Sequence, residues 1–436
     1  MSSFKVLFLL PVLLAAQVVV TADTIPGDRD SVLHALSRLT FGPAPGDVER
    51  VQRMGLAAWI DRQLNPSSIP DAALNGRLTE RPVQAASNDP RDVRRAARED
   101  VVNLAGERLT REVYSDRQLQ EVLVDFWFNH FNVYAGKGRT AMFLRDYERD
   151  AIRPYVFGTF RDLLGATAHH PAMLFYLDNW MSVDPDATQR PHPRANNAQA
   201  RNTKRGLNEN YGRELLELHT LGVDGGYTQK DVTEVARAFT GWTIDGRRGS
   251  GEFRFARQFH DDGKKVVLGH TIPAGGGEQD GERVLDIVAS HPSTAHHIAY
   301  ELAQRFVSDE PPSALVDRAA ARFTSTGGDL RDVVRTIVTS PEFFAADVRS
   351  AKIKTPLEFV VSAVRAAGDR GMNAMAMARG LKDLGMPLYM CQPPTGYDNT
   401  AEAWVGAGAL VTRINLASKL AGADAALVSS PEFQRR

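Results

Sequence analysis

The sequence predicts an all-α protein, a large multi-helix orthogonal bundle with at most one small β-hairpin near residues 264–272. Three observations predict it. Apolar residues recur mainly at the three- to four-residue spacing of helices, and alternation of the strand kind is confined to about Lys264 to Thr271. Near the start of the chain Pro43, Pro45, Gly55 and Pro66 fall between short periodic segments. The segment Arg117 to Val133 is apolar almost all round, as a helix buried in a large core must be.

Taken in chain order, Met1 to Ala22 carries Lys5, an apolar run from Val6 to Val20 interrupted by Pro11, and a small-residue V-T-A ending at Ala22. That is the pattern of a secretory signal peptide. The run is shorter than the roughly 20 residues that span a bilayer, and no second run of that kind follows. The expected mature chain therefore begins near Asp23, is secreted or periplasmic, and has no stable membrane insertion; a retained N-terminal anchor is the alternative. No long Gly/Ser or Pro linker divides residues 23–436, which are expected to form a single helical domain with the loop 181–206 as a sub-boundary.

Asp28 to Leu39, Asp47 to Met54 and Leu56 to Leu64 read as short amphipathic helices, with Gly55, Pro43, Pro45 and Pro66 as punctuation. Asp89 to Arg111 is a charged stretch. Further helices are expected at Arg117 to Val133, Leu144 to Leu164, Pro171 to Leu177, Asn208 to Leu221 and Gln229 to Thr240, where Thr228 and Asp231 have the spacing of a capping box. The remaining ones are expected at Thr294 to Val307, Ala314 to Ser325, Leu330 to Thr339, Leu357 to Ala366 and Ala403 to Leu420.

Composition removes several function classes. With 52 Lys plus Arg against 53 Asp plus Glu, no global field draws nucleic acid or an anionic membrane. Cys391 is the only cysteine, so an internal disulfide, a thiolate zinc site and C-x-x-C-H haem attachment are excluded. Nucleophile-elbow, H-E-x-x-H, P-loop and dinucleotide-glycine motifs do not occur.

Chemistry concentrates on three segments. On "NENYGRELLELHT", a wheel of about 100° per residue sets Asn210, Glu214, Glu217 and Arg213 on one polar stripe and turns His219 away. Glu214 and Glu217 are a carboxylate pair one turn apart. On "VLVDFWFNHFNV", Asp125, Asn129 and Asn132 share a narrow stripe, and His130 stands about 100° from Asn129 among apolar side chains. An unpaired buried carboxylate is costly, so Asp125 requires a partner. The two stripes are expected to face one another or a common cleft; a structural Arg–carboxylate and Asn network is the competing interpretation. The third segment, "FHDDGKKVVLGH", holds His260, Asp261, Asp262, Lys265 and His270 beside a Gly263 turn, where a His-Asp pair can act as base and orienter or bind a divalent metal, or simply make an Asx turn.

Other signals are weaker. The aperiodic loop 181–206 carries five basic residues and no acid from Arg190 to Arg205, an anion grip or a solvated loop. His296 and His297 point about 100° apart and do not share a metal readily. Met372, Met375 and Met377 suit core packing better than copper ligation.

Several long stretches, "LSRLTFGPAPGDVERVQRMGLAAWIDRQL", "FWFNHFNV", "LNENYGRELLELHTLGV" with "YTQKDVTEVARAFTGWTI", "HDDGKKVVLG" and "QPPTGY...AWVGAGALVTRINLA", resemble in order the motifs of the bacterial domain-of-unknown-function 1800 family. The resemblance implies one family-length helical unit in an exported bacterial protein. It also implies an exported partner protein of the domain-of-unknown-function 1501 family. Tyr397 stands where the family pattern has Trp. No reaction follows from the resemblance.

Two function classes result. The first is a metal- or carboxylate-dependent hydrolase acting on an extracellular or cell-envelope substrate. Its candidate catalytic residues are Glu214, Glu217, His130, His260 and Asp261, and Arg213, Asn210, Asn129, Asp125 and Lys265 are its candidates for substrate binding. The second is a non-catalytic secreted scaffold or binding protein.

Overall fold

The computed structural model describes residues 25–74, 76–78, 85, 89–186, 206–245, 251–368, 373–421 and 425–436. The expected signal peptide and the basic residues from Arg190 to Arg205 lie outside them.

Among the described residues the fold is all-α with two small antiparallel ribbons. It begins with α1 (Arg29–Leu39), α2 (Asp47–Met54) and α3 (Leu56–Gln63). Asp28 caps the first, accepting from Ser31 N, and Gly55 at φ 86° makes the sharp turn between the second and third. The charged stretch after Asp89 is a long helix, α4 (Pro90–Tyr114), which the sequence pattern did not reveal. Asp89 caps it and Pro90 occupies its first turn. Its buried stripe includes Ala96, Ala97, Leu104, Ala105 and Leu109 together with Arg108 and Glu112, so two charged residues sit on the inner face and mask its amphipathic period. Next comes α5 (Gln118–His130), the expected core helix, with Leu119, Val122, Leu123 and Trp127 fully enclosed.

The single helix expected over Leu144 to Leu164 is broken. It consists of α6 (Leu144–Asp146), a π-turn over Tyr147–Ile152 and a 3-10 turn over Arg153–Tyr155, before α7 (Phe160–His169) restarts with Thr159 as its cap. Pro154 removes a backbone donor at the break. Then follow α8 (Pro171–Tyr176), α9 (Asn210–Glu217) and α10 (Gln229–Ala238), the last with the full Thr228/Asp231 capping box. Strands β1 (Trp242–Ile244) and β2 (Phe253–Phe255) pair in a ribbon that was not expected, whereas β3 (Lys265–Val267) and β4 (His270–Ile272) are the expected hairpin. The chain closes with α11 (Gln279–Ala289), α12 (Pro292–Phe306), α13 (Ser313–Ser325), α14 (Leu330–Val338), α15 (Pro356–Ala366), α16 (Ala374–Asp383), α17 (Ala407–Ala421) and α18 (Ala425–Val428). Of these, α11, α16 and α18 have no counterpart in the sequence-based expectation.

One contiguous apolar cluster runs from Val32 to Val428 and joins these helices. Polar anchors are set into it. Glu358, buried in the first turn of α15, receives Thr355 N at 2.9 Å in a capping box and pairs with Arg305 of α12 at 2.6 Å and with Arg436 at 2.7 Å. Burial alone would raise this carboxyl, but the two guanidinium groups outweigh it and hold it down at about 2. The last residues run beside the segment before α15, through Lys354 N to Gln434 O at 2.9 Å and Arg436 N to Lys352 O at 2.9 Å.

Glu358→Gln leaves two buried guanidinium groups without their shared acid, which predicts a loss of about 3–5 kcal/mol in denaturant unfolding. Because the folded carboxyl is depressed, its contribution is present above the unfolded carboxyl range and is lost as pH falls toward 2. A loss below about 1 kcal/mol at neutral pH contradicts the anchoring role.

Candidate functional site

Helix α5 delivers Asp125, Asn129 and His130 to one wall of a polar cleft of about 170 Å³. Helix α12 supplies the facing wall with Glu301, Gln304 and Arg305, and residues 395–399 close the end with Thr395, Tyr397, Asp398 and Asn399. Phe126 and Met386 are the apolar members of this lining.

Asp125 has the partner its burial requires. Arg108 of α4 forms an ion pair with it and also holds Glu112 at 2.9 Å. Arg108 and Glu112 are enclosed, while the Asp125 side chain keeps 16% exposure toward the cleft. Burial raises both carboxyls and Arg108, helped at Asp125 by the charge of Arg305, does not offset it, so Glu112 is pushed up to about 8 and Asp125 is raised from its ordinary value. Behind them Tyr389 donates to Glu148 at 2.6 Å, and Arg153 binds Glu121 at 2.7 Å and Glu148 at 3.2 Å. This continues the network into the π-turn.

Across the cleft, Nδ1 of His130 lies 2.7 Å from Oε2 of Glu301, and its Nε2 lies 3.2 Å from the carbonyl oxygen of His219. Both ring nitrogens are engaged, so His130 orients Glu301 rather than offering a free nitrogen. Burial would raise the Glu301 carboxyl, but the charge and hydrogen bond of His130 prevail and lower it. His297 adds a weaker contact to Glu301 at 3.6 Å.

Asn129 is a clamp. Its Nδ2 donates to Tyr397 O and its Oδ1 accepts from Tyr397 N, both at 2.7 Å. The preceding Gly396 has φ 72°, and a Cβ there would stand 2.4 Å from the carbonyl oxygen of Asn129. Asn132, next on the same stripe, donates to Pro393 O at 2.8 Å and so fastens the same loop.

The other candidates lie elsewhere. Glu214 and Glu217 do not line this cleft. Glu217 accepts from Tyr227 at 3.2 Å, and the Glu214 carboxyl is raised by burial and by Glu217. Arg213 bonds Gln229 at 2.8 Å, and Asn210 donates to Leu177 O at 3.3 Å. The helix carrying them ends at Glu217, so its regular wheel does not extend to His219, and it reaches α5 through the His219 carbonyl. His260 and Lys265 form an enclosed cluster of their own around Asp280, at 3.2 and 2.8 Å, with all three side chains fully buried. Asp261 pairs with Arg237 at 2.7 Å. That cluster ties the β3–β4 hairpin to α10 and α11. Met377 is a core residue and Met375 is 48% exposed. Among the described residues no three His, Cys, Asp or Glu side chains are grouped to hold a metal ion.

Arg108, Glu112, Glu301, Gln304 and Arg305 were missed by sequence reasoning. A signal existed: Glu301 and Arg305 are one turn apart, as are Arg108 and Glu112, each pair on one helix face.

Fold and site together define an all-α protein whose apolar core carries ionised networks up to one polar cleft. The model of the family described as "Protein of unknown function (DUF1800)" matches residues 34–435. The chain belongs to that family. No curated protein and no solved structure matches it.

His219 supplies a pH test. Its burial, with the charge of His130 beside it, lowers the imidazole from 6.5 to about 3. Below 6.5 the unfolded chain binds a proton that the folded one refuses, so stability falls on acidification through this window. His219→Leu is expected to remove about 2 kcal/mol of the stability lost between about pH 6.5 and 5, read by chemical unfolding at both values. An unchanged loss contradicts the buried neutral histidine.

Proposed function

We propose that the chain is a carboxylate-dependent hydrolase of the extracellular space or cell envelope, with Asp125 as general acid and Glu301 as general base. The observation that carries this reading is that the two carboxyls line one cleft and are pushed in opposite directions, Asp125 upward and Glu301 downward. Environments that separate two acids in this way prepare one to hold its proton and the other to take one. In the step itself, a water oxygen bonds to the electrophilic atom while its proton passes to Glu301. The bond to the leaving group breaks as Asp125 supplies that group with a proton. His130 holds Glu301 in place, and Asn129 holds the loop that closes the end of the cleft. The polar lining favours a hydroxyl- or amide-rich polymer. With no grouped metal donors among the described residues, the reading is built on carboxylates alone.

A second reading, a non-catalytic secreted binding protein working with an exported protein of the domain-of-unknown-function 1501 family, draws on one observation. The polar atoms of His130 and Asn129 are already committed within the chain.

The test is hydrolysis of a panel of chromogenic glycosides, esters and peptides by the purified chain and by Asp125→Asn and Glu301→Gln. Each variant is expected to lose about 10²- to 10⁴-fold in kcat. The active form has Asp125 protonated and Glu301 ionised, so Asp125→Asn should erase the alkaline limb of the pH profile and Glu301→Gln the acid limb. Full activity in both variants, or no turnover of any member of the panel, sinks the hydrolase reading and favours the second one.

A further inference from the structure

The stretch from Trp404 to Arg413 does not line the polar cleft, yet it builds a second cavity. A pocket of about 230 Å³ is walled by Ile353, Trp404, Val405 and Leu410, with Arg413 and Gln434 as its polar members. The rim is apolar and open to solvent, with Val405 59% and Leu410 47% exposed. Arg413 is the reverse, only 3% exposed. Its guanidinium donates to Gln434 Oε1 at 3.2 Å and to Lys354 O at 2.9 Å, both neutral acceptors, and its Nε has no hydrogen-bond partner.

No acid reaches Arg413 at ion-pair distance among the described residues. The acid whose charge it feels is Glu358, which is already held by Arg305 and Arg436. Lys354 stands behind it in the same condition, its ammonium 3.6 Å over the Phe433 ring. Burial lowers Arg413 to about 10 and Lys354 to about 7, as enclosure does to a cationic group that has no counter-ion of its own. A buried cation without an acid is expensive, and an anion arriving through the pocket would relieve it.

We propose that this pocket is a binding site for an aliphatic carboxylate, its head on the Arg413 guanidinium and its hydrocarbon body against Trp404, Val405, Leu410 and Ile353. Arg is the side chain suited to such a head, because its planar fork matches a carboxylate and it keeps its charge when buried. The apolar rim then gains cover for surface it otherwise exposes to water. This site is separate from the polar cleft and does not depend on the hydrolase reading.

The experiment is titration of the full chain with octanoate, followed by calorimetry and by tryptophan fluorescence, with octanol and octyl phosphate as comparison ligands. Octanoate is expected to bind saturably at one site, at least tenfold tighter than octanol and tighter than octyl phosphate. Arg413→Gln is expected to weaken octanoate at least tenfold while leaving octanol within twofold. Since Arg413 also bonds the backbone, a second variant guards against misfolding: Leu410→Glu, on the exposed rim, places a negative charge at the mouth and is expected to weaken octanoate at least tenfold in a chain with unchanged circular dichroism. No saturable octanoate binding, octanol binding within tenfold of octanoate, octyl phosphate binding as tightly as octanoate, or octanoate affinity unchanged in Leu410→Glu each overturns the proposal.

Discussion

Arg108 is buried in α4 and lies against two carboxylates, Glu112 on its own helix and Asp125 on α5. One positive charge cannot fully offset the cost of enclosing two negative ones, so the trio keeps a proton that two separate, solvated acids would release. That constraint orders the interior. It fixes the register of α4 against α5, and it leaves the outermost of the two acids, Asp125, raised and facing the cleft. Through Glu148, Tyr389 and Arg153 the same network reaches the π-turn and the loop after α16, so the walls of the cleft are held by charge as well as by packing.

The opposite wall answers to a different anchor. Arg305 lines the cleft and at the same time pairs with Glu358, which Arg436 shares. Here the ratio is reversed, with two guanidinium groups around one acid, and the carboxyl is depressed rather than raised. The cleft thus lies between an acid-rich network and a base-rich one. The surplus of positive charge continues through Lys354 to Arg413, where a second, apolar-mouthed pocket opens on the other side of residues 353–355.

Much of this was legible in the sequence, for physical reasons that also mark the limits. Apolar period located α5 and most other helices, and the need of a buried carboxylate for a partner made Asp125 a marked residue before its partner was known. Period failed at α4 because Arg108 and Glu112 occupy its inner face. A charge that pairs inward looks, in sequence, like a charge that faces water. The polar stripe of α9 was read correctly as a stripe, but a wheel places residues around one helix and says nothing of which helix stands opposite. Helix α5 meets Glu301 and Arg305 of α12, about 170 residues further along, through His130 and a shared cleft, a pairing that no local pattern encodes. The His260 and Lys265 cluster shows the same limit in another form. Its residues are those a loop site would use, and Asp280, 20 residues beyond His260, encloses them instead.

The central claim is that Asp125 holds its proton where an ordinary aspartate would not. Carboxyl-carbon NMR titration of the folded chain, with Asp125→Asn identifying the resonance, measures this directly. The account predicts a side-chain carboxyl that titrates above the usual aspartate range and disappears in the variant. An Asp125 resonance that titrates within or below that range contradicts it.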